Sequence, residues 1–183
     1  MESLKTDRLT VRLAKLGDEE SIFSYRSDFV ENKYQGWLPE SLEEVRNDIK
    51  NMPTTLDVAD ICFQFVIVVT DEDRIIGDMG VVFTGHELLQ AELGCTLDKN
   101  YQGKGFATEA LRAMINYLFS TLKKHRIIAS IDPRNLPSIR LIERIGFRKE
   151  GYFKESYFLR GEWTDDVIYA MLQREWSSNK TVK

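Results

Sequence analysis

The run from Leu93 to Leu111 constrains this chain more than any other stretch. It opens on apolar residues, breaks at Asp98-Lys99-Asn100, turns through Gly103 and Gly105, and continues from Ala107 as an amphipathic helix. Strand, glycine turn and helix in that order make an anion site. The first amides of a helix lack intrahelical partners, and the helix dipole favours negative charge beside them. Glycines in the turn let the backbone come close to a phosphate. Two common phosphate loops do not fit. A Walker A loop needs glycine where Asp98 stands and a hydroxyl where Gly105 or Phe106 stands. A dinucleotide fingerprint needs a third glycine where Thr108 stands. Taken alone, the stretch also admits a glycine turn with no ligand.

The rest of the chain supplies a mixed fold. Leu9, Val11 and Leu13 alternate with polar residues, as in a half-buried strand. Asp18 is the expected N-cap of a helix through Arg26, with Glu19 and Glu20 in its first turn. An irregular aromatic segment, 28–39, follows. Ser41 caps a second helix, 42–50, and Glu44 completes a capping box. Strands are predicted over 63–69, 75–83 and 91–97. The helix after the glycine turn carries an apolar stripe from Ala110 to Leu122, and Lys123, Lys124 and His125 close it with positive charge. A strand over 127–131 precedes a helix with Asn135 as N-cap, Pro137 in its first turn and Gly146 at its end. A hairpin, 147–158 with 163–172, turns around Arg160-Gly161-Glu162, and 177–183 read as a polar tail. The order β-α-α-β-β-β-α-β-α-β-β predicts one α+β domain over 6–176, a mixed twisted sheet with helices on both faces.

Three motifs resemble the GNAT N-acetyltransferase superfamily, in order and spacing. Gln102-Gly103-Lys104-Gly105-Phe106-Ala107 has the Gln/Arg-x-x-Gly-x-Gly/Ala pattern of its acetyl-CoA loop. Thr6-Asp7-Arg8-Leu9 to Leu13 resembles the opening of the RimJ/RimL branch, and Asn135 to Ser138 with Gly146-Phe147 resembles its Asn-x-x-Ser…Gly-Phe segment. The resemblance implies the acyl-CoA N-acyltransferase fold and acetyl-CoA as co-substrate, with no metal. It implies that the backbone around Cys95, Thr96 and Leu97 holds the pantetheine arm. The amides of Gln102, Gly103, Lys104, Gly105, Phe106, Ala107 and Thr108 would hold the pyrophosphate. Lys104 adds charge at the rim or is a solvated surface lysine. Asn135 contacts the cofactor or only caps its helix.

Acetyl transfer to an amine needs a base, donors for the developing oxyanion and a proton for the departing thiolate. Glu92 stands near the position where some family members, including histone acetyltransferases, carry their base. Half-buried among apolar neighbours, its pKa would rise toward what a base needs. As an ordinary half-exposed strand residue it needs no such role. Ser138 matches the serine assigned to thiolate handling, or bonds its own helix. The tyrosine acid of many N-terminal acetyltransferases is replaced by Ile142, and the RimL-like glutamate by Tyr157, a third catalytic candidate or a packing residue beside Tyr152 and Phe158. Tyr34 and Trp37 lie where the branch lines its acceptor pocket, though Trp37 also suits core packing.

Composition excludes some classes. A net charge of −4 argues against a general nucleic-acid binder. No apolar run reaches the roughly 20 residues of a membrane helix, and the N-terminus lacks a secretory h-region, so a cytoplasmic location is expected. Cys62 and Cys95 read as buried reduced thiols, and His86 and His125 are isolated. The expected function is acetyl transfer to a primary amine, a protein N-terminus or a small molecule, by a monomer or homodimer. An aminoglycoside-type enzyme with an acidic pocket from Glu31, Asp57, Asp60 and Glu87, and a non-catalytic acyl-CoA sensor, remain as alternatives.

Overall fold

The computed structural model describes residues 3–56 and 58–179. Eight strands form one sheet in the order β1-β2-β3-β4-β5-β6-β8-β7. They are β1 (Leu4–Lys5), β2 (Leu9–Leu13), β3 (Cys62–Val69), β4 (Arg74–Thr84), β5 (Gln90–Leu97), β6 (Arg126–Ile131), β7 (Arg148–Leu159) and β8 (Glu162–Leu172). The helices are α1 (Glu19–Arg26), α2 (Leu42–Asn51), α3 (Phe106–Ser120), α4 (Leu136–Ile145) and α5 (Gln173–Asn179). The architecture is the α+β one expected from the sequence, with two elements added. Leu4 and Lys5 pair with Val11 and Thr10, ahead of the expected start at Thr6. The expected polar tail begins as α5, through Asn179; residues 180–183 lie outside the described residues.

β3 is buried from Phe63 to Val69, so its apolar run needs cover on both faces. Val66 and Val68 pack under α1 and α2 with Ile22, Tyr25, Val45 and Ile49. The opposite face carries Phe63, Phe65 and Ile67 into the larger core, closed by the α3 stripe and by Ile142 and Ile145 of α4. Ser41 Oγ accepts from Glu44 N at 3.2 Å. The Glu44 carboxylate reaches one residue further back than a capping box, to Glu40 N at 2.8 Å. Gly146 ends α4 at φ +111.

Four local expectations are corrected. Asp18 makes no side-chain cap; Arg12 takes its carboxylate through two hydrogen bonds of 2.7 and 2.9 Å, a charge-assisted pairing stronger than a cap. Lys124 turns inward instead of closing α3: it is buried, its Nζ donates to Leu88 O at 2.8 Å, and it lies 4.4 Å from the Phe83 ring. The cysteines are free thiols, but Cys62 is exposed and Cys95 only partly covered. Tyr152, Tyr157 and Phe158 are about half exposed on β7, at an edge of the sheet, where Phe158 meets the Trp163 ring of β8 at 5.2 Å.

The sheet splits in the middle. All neighbouring strands are antiparallel except β5 and β6. Those two pair only from Gln90↔Arg126 to Glu92↔Ile128. Beyond Glu92, β5 keeps β4 on one side to Gly77↔Leu97, and β6 pairs with β8 to Ile131↔Val167. Between them lies a wedge-shaped opening bordered by unpaired strand backbone.

Candidate active site

Two cavities meet at this opening. Each holds roughly the volume of a drug-sized ligand, about 650 and 680 Å³. They share Tyr34 and Gln35, which form the partition.

The first cavity gathers the glycine turn and the strand before it. Its wall includes Cys95, Thr96, Leu97, Gln102, Gly103, Gly105, Phe106, Ala107 and Thr108, together with Asn135 and Ser138. Of the residues expected at a cofactor, Lys104 alone is outside the wall; its ammonium donates to Asn100 O at 2.8 Å. Gly105 is the N-cap of α3 at φ +84, and no side chain caps that end. Here glycine is required, because a left-handed N-cap strains any other residue. Asn135 Oδ1 accepts from Ser138 N at 3.3 Å, so it caps α4 while lining the cavity. Four cations, Lys33, Arg134, Arg140 and Arg144, stand against one carboxylate, Glu31. Sequence reasoning missed these cations, because they come from three places, the 28–39 segment, the turn before α4 and α4 itself.

A second group missed in the sequence braces the turn. Glu109, in the first turn of α3, accepts from Thr6 Oγ1 at 2.6 Å, from Arg8 N at 3.0 Å and from Arg8 Nε at 2.7 Å. Arg8 also donates to Lys104 O at 3.2 Å and lies 4.4 Å from the Phe106 ring. Desolvation works to raise the Glu109 carboxyl, but the bonds from Thr6 and Arg8 outweigh it and hold it below the ordinary range. The Thr-x-Arg opening is therefore a strut under the glycine turn. Arg8→Ala is expected to weaken acetyl-CoA binding by about fivefold, or about 1 kcal/mol for a half-exposed ion pair; isothermal titration checks it.

The second cavity lies on the α2 side of the sheet. Register sets its floor. Cys62, Val82 and Glu92 align across β3, β4 and β5; Gln64, Gly80 and Gly94 form the next row; Val66, Asp78 and Thr96 the third. Of β5, Glu92 and Gly94 line this cavity, while Thr96 is buried and lines only the basic one. The middle row is open at Gly94, where a Cβ would meet nothing within 4 Å, and covered at Gly80, where it would meet Cys62 Sγ at 2.9 Å. Glu92 is half-buried. Desolvation, then the nearby Asp166, raises its carboxyl.

Trp37 and Tyr157 line this cavity too. Trp37 packs against the α1–α2 core with Arg26 5.3 Å from its ring, so it is at once wall and core. A Cβ on Gly36 would come within 2.7 Å of the Tyr157 hydroxyl, so loop and hairpin touch there. Arg160 fastens the two. It sits at φ +48 beside Gly161 at +88, a two-residue turn with both residues left-handed. Its guanidinium donates to Lys33 O at 2.9 Å, to Asn32 O at 3.4 Å and to Gln35 O.

The acidic pocket expected from Glu31, Asp57, Asp60 and Glu87 is not built from them. Glu31 lines the basic cavity, Asp60 and Glu87 are exposed and line neither, and Asp57 lies outside the described residues. An acidic cavity exists nonetheless. Asp48, Asp78, Glu92, Asp132, Asp165 and Asp166 line it against one cation, Arg26.

The model of the acetyltransferase (GNAT) domain matches residues 8–148. The chain is 34% identical over 177 residues to the uncharacterized N-acetyltransferase p20 of Bacillus licheniformis, covering 97% of this chain and 99% of that one. It is 32% identical over 191 aligned positions to the ribosomal protein uS5-alanine N-acetyltransferase of Escherichia coli, covering 97% and 94%. A solved GNAT-family acetyltransferase from Bacillus anthracis superposes with a TM-score of 0.85 at 32% identity, covering 95% of this chain and all of that one. With its opened sheet and glycine turn so matched along nearly the whole length, the chain belongs to the GNAT acetyltransferase family and is an N-acetyltransferase.

Proposed function

We propose that the basic cavity holds acetyl-CoA, the acidic cavity holds a primary amine, and the acetyl group passes between them at the partition. The observation that carries this reading is the pairing of two cavities of opposite charge across the split in the sheet. Family members use acetyl-CoA, and the residues present fit it. Gly103 and Gly105 line the turn, and a Cβ on Gly103 would meet nothing within 4 Å, so the backbone there is open to a ligand. The uncapped N-terminus of α3 and the four cations suit a polyanion. When bound, acetyl-CoA supplies an acetyl group activated as a thioester.

The chain's own groups do the rest. Gln102 to Thr108 receive the pyrophosphate on backbone amides. The free edge of β5 from Leu93 to Leu97 offers backbone bonds to the pantetheine arm. Tyr34 and Trp37 orient the amine. An ammonium has no lone pair, so Glu92 takes its proton, and the freed nitrogen bonds to the acetyl carbon as the carbon–sulfur bond breaks. The sulfur would take a proton from a nearby hydroxyl, for which Ser138 on the basic side, Tyr34 at the partition and Tyr157 on the acidic side are the candidates, and the second proton that the nitrogen sheds as the amide forms would restore that hydroxyl. Holding both reactants at one point removes on the order of 7 kcal/mol of the barrier in favourable cases.

Glu92→Gln is expected to lower kcat by about 100-fold or more, with acetyl-CoA affinity unchanged. Wild-type kcat/KM falls as pH drops through the raised Glu92 pKa. Asp166→Asn removes the like charge and moves that acidic limb to lower pH. Pre-steady-state assays of CoA release across pH check both; a Glu92→Gln enzyme at wild-type rate returns Glu92 to an ordinary strand position.

A further inference from the structure

The carboxylates of the acidic cavity are not equally committed. Asp78 accepts from Arg26 and from Tyr25. Asp132 is paired with Arg134 at 2.5 Å. Asp165 takes the Tyr152 hydroxyl and Glu155 N. Asp48, Glu92 and Asp166 are left with no cationic partner among the described residues; Asp166 has only the Ser130 hydroxyl, at 2.9 Å. Asp48 is exposed at the α2 edge, while Glu92 and Asp166 sit together on the β5–β8 side. The surplus charge thus stands at two ends.

Between the ends lies Gln64. It is 8% exposed, it lines the cavity, and its amide nitrogen has no partner among the described residues. A buried amide left unbonded costs free energy unless a ligand completes it. A half-turn of the amide presents its oxygen instead of its nitrogen. Gln64 shares its row with Gly80 and Gly94, the middle of the floor. Cys62 Sγ overhangs Gly80 on the way to Glu92, and the floor is clear at Gly94.

Building on the acetyl-transfer reading above, we infer that the acceptor is a small linear amine with at least two positive charges. One nitrogen sits at Glu92 to be acetylated. The next ammonium lies along the Gly80–Gly94 floor toward Gln64 and Asp48. β3 and β5 are two strand spacings apart, about 10 Å, so an extended di- or triamine spans the floor. A peptide N-terminus carries one ammonium followed by neutral amides; it leaves Asp48 and Gln64 unmatched. The carboxylates still outnumber their partners, Arg26 on Asp78 and Arg134 on Asp132, and that surplus also concentrates polycations at the site. Burial, and then the Asp166 charge, raises the Glu92 carboxyl, which makes it a stronger proton acceptor for the amine.

The test measures CoA release with butylamine, putrescine, spermidine and a peptide with a free alanine N-terminus. The expected result is a kcat/KM for putrescine or spermidine on the order of 100-fold above butylamine, shrinking with added salt. Asp48→Asn should lower the spermidine-to-butylamine ratio by about tenfold, a loss of about 1.4 kcal/mol, chiefly through KM. Butylamine or the peptide turned over as well as the polyamines would overturn the inference and leave acetyl transfer to amines standing. So would an Asp48→Asn enzyme whose ratio is unchanged. No CoA release with any of the four, in protein that still binds acetyl-CoA by thermal shift, would overturn the primary-amine reading itself, and the polyamine with it.

Discussion

Gly105→Glu is expected to remove measurable acetyl-CoA binding, a loss of at least about 100-fold or about 2.7 kcal/mol. Two effects add. Residue 105 sits at φ +84, where any L side chain is strained, at a cost of about 1–3 kcal/mol. A carboxylate there would also repel a pyrophosphate bound at the α3 N-terminus, where the helix dipole and free amides favour an anion. Gly105→Ala separates the two, since it carries the strain without the charge. In thermal-shift titrations the wild type should gain about 2.7 kcal/mol at 100-fold over Kd. Gly105→Ala should start lower and still shift; Gly105→Glu should not shift. An undiminished shift in Gly105→Glu would place the cofactor elsewhere.

Asp78→Ala is expected to lower unfolding stability by about 3–5 kcal/mol, because it strands a buried guanidinium. Asp78 is 1% exposed and accepts from Arg26 Nε at 2.9 Å, from Arg26 Nη2 and from the Tyr25 hydroxyl at 2.8 Å. This cluster is the polar anchor of α1 to β4. The triple change Tyr25→Phe, Arg26→Met, Asp78→Leu removes every charge and hydroxyl together and should lose far less than Asp78→Ala alone. Urea unfolding of the two variants decides it. If the triple variant is the less stable, the ion pair contributes more than its desolvation costs.

The wall of the basic cavity was legible in the sequence because its requirements are local. A left-handed N-cap, a run of amides and a strand before them all fall within 93–108, and the structure assembles them there. The acidic cavity was not legible. Its six carboxylates come from α2, β4, β5, the end of β6 and β8, and only the sheet register brings them together. Of the carboxylates expected from sequence to build an acidic pocket, Glu31, Asp60 and Glu87 are exposed, and of the six that do build it only Glu92 was singled out. Asp18 and Lys124 were misread for a related reason: each matched a rule about helix ends, and each had a stronger partner, Arg12 or Leu88 O, that the local sequence does not reveal. β1 is too short to show periodicity, and α5 carries a polar sequence that reads equally as tail. Arg8 and Thr6 stood in the sequence as a pattern without a reason until Glu109, about a hundred residues on, supplied one.

The fastening by Arg160 bears on how such an enzyme changes its acceptor. The loop that carries Tyr34 and Trp37 and the hairpin that carries Tyr157, Asp165 and Asp166 are far apart in the chain, yet one side chain holds three carbonyls of the loop. Selection on either segment alone meets the other as a fixed boundary. A loop transplanted from a relative with a different hairpin turn arrives without its anchor. New acceptor preferences in this scaffold therefore arise most readily when residues 28–39 and 148–172 are exchanged as one inherited unit.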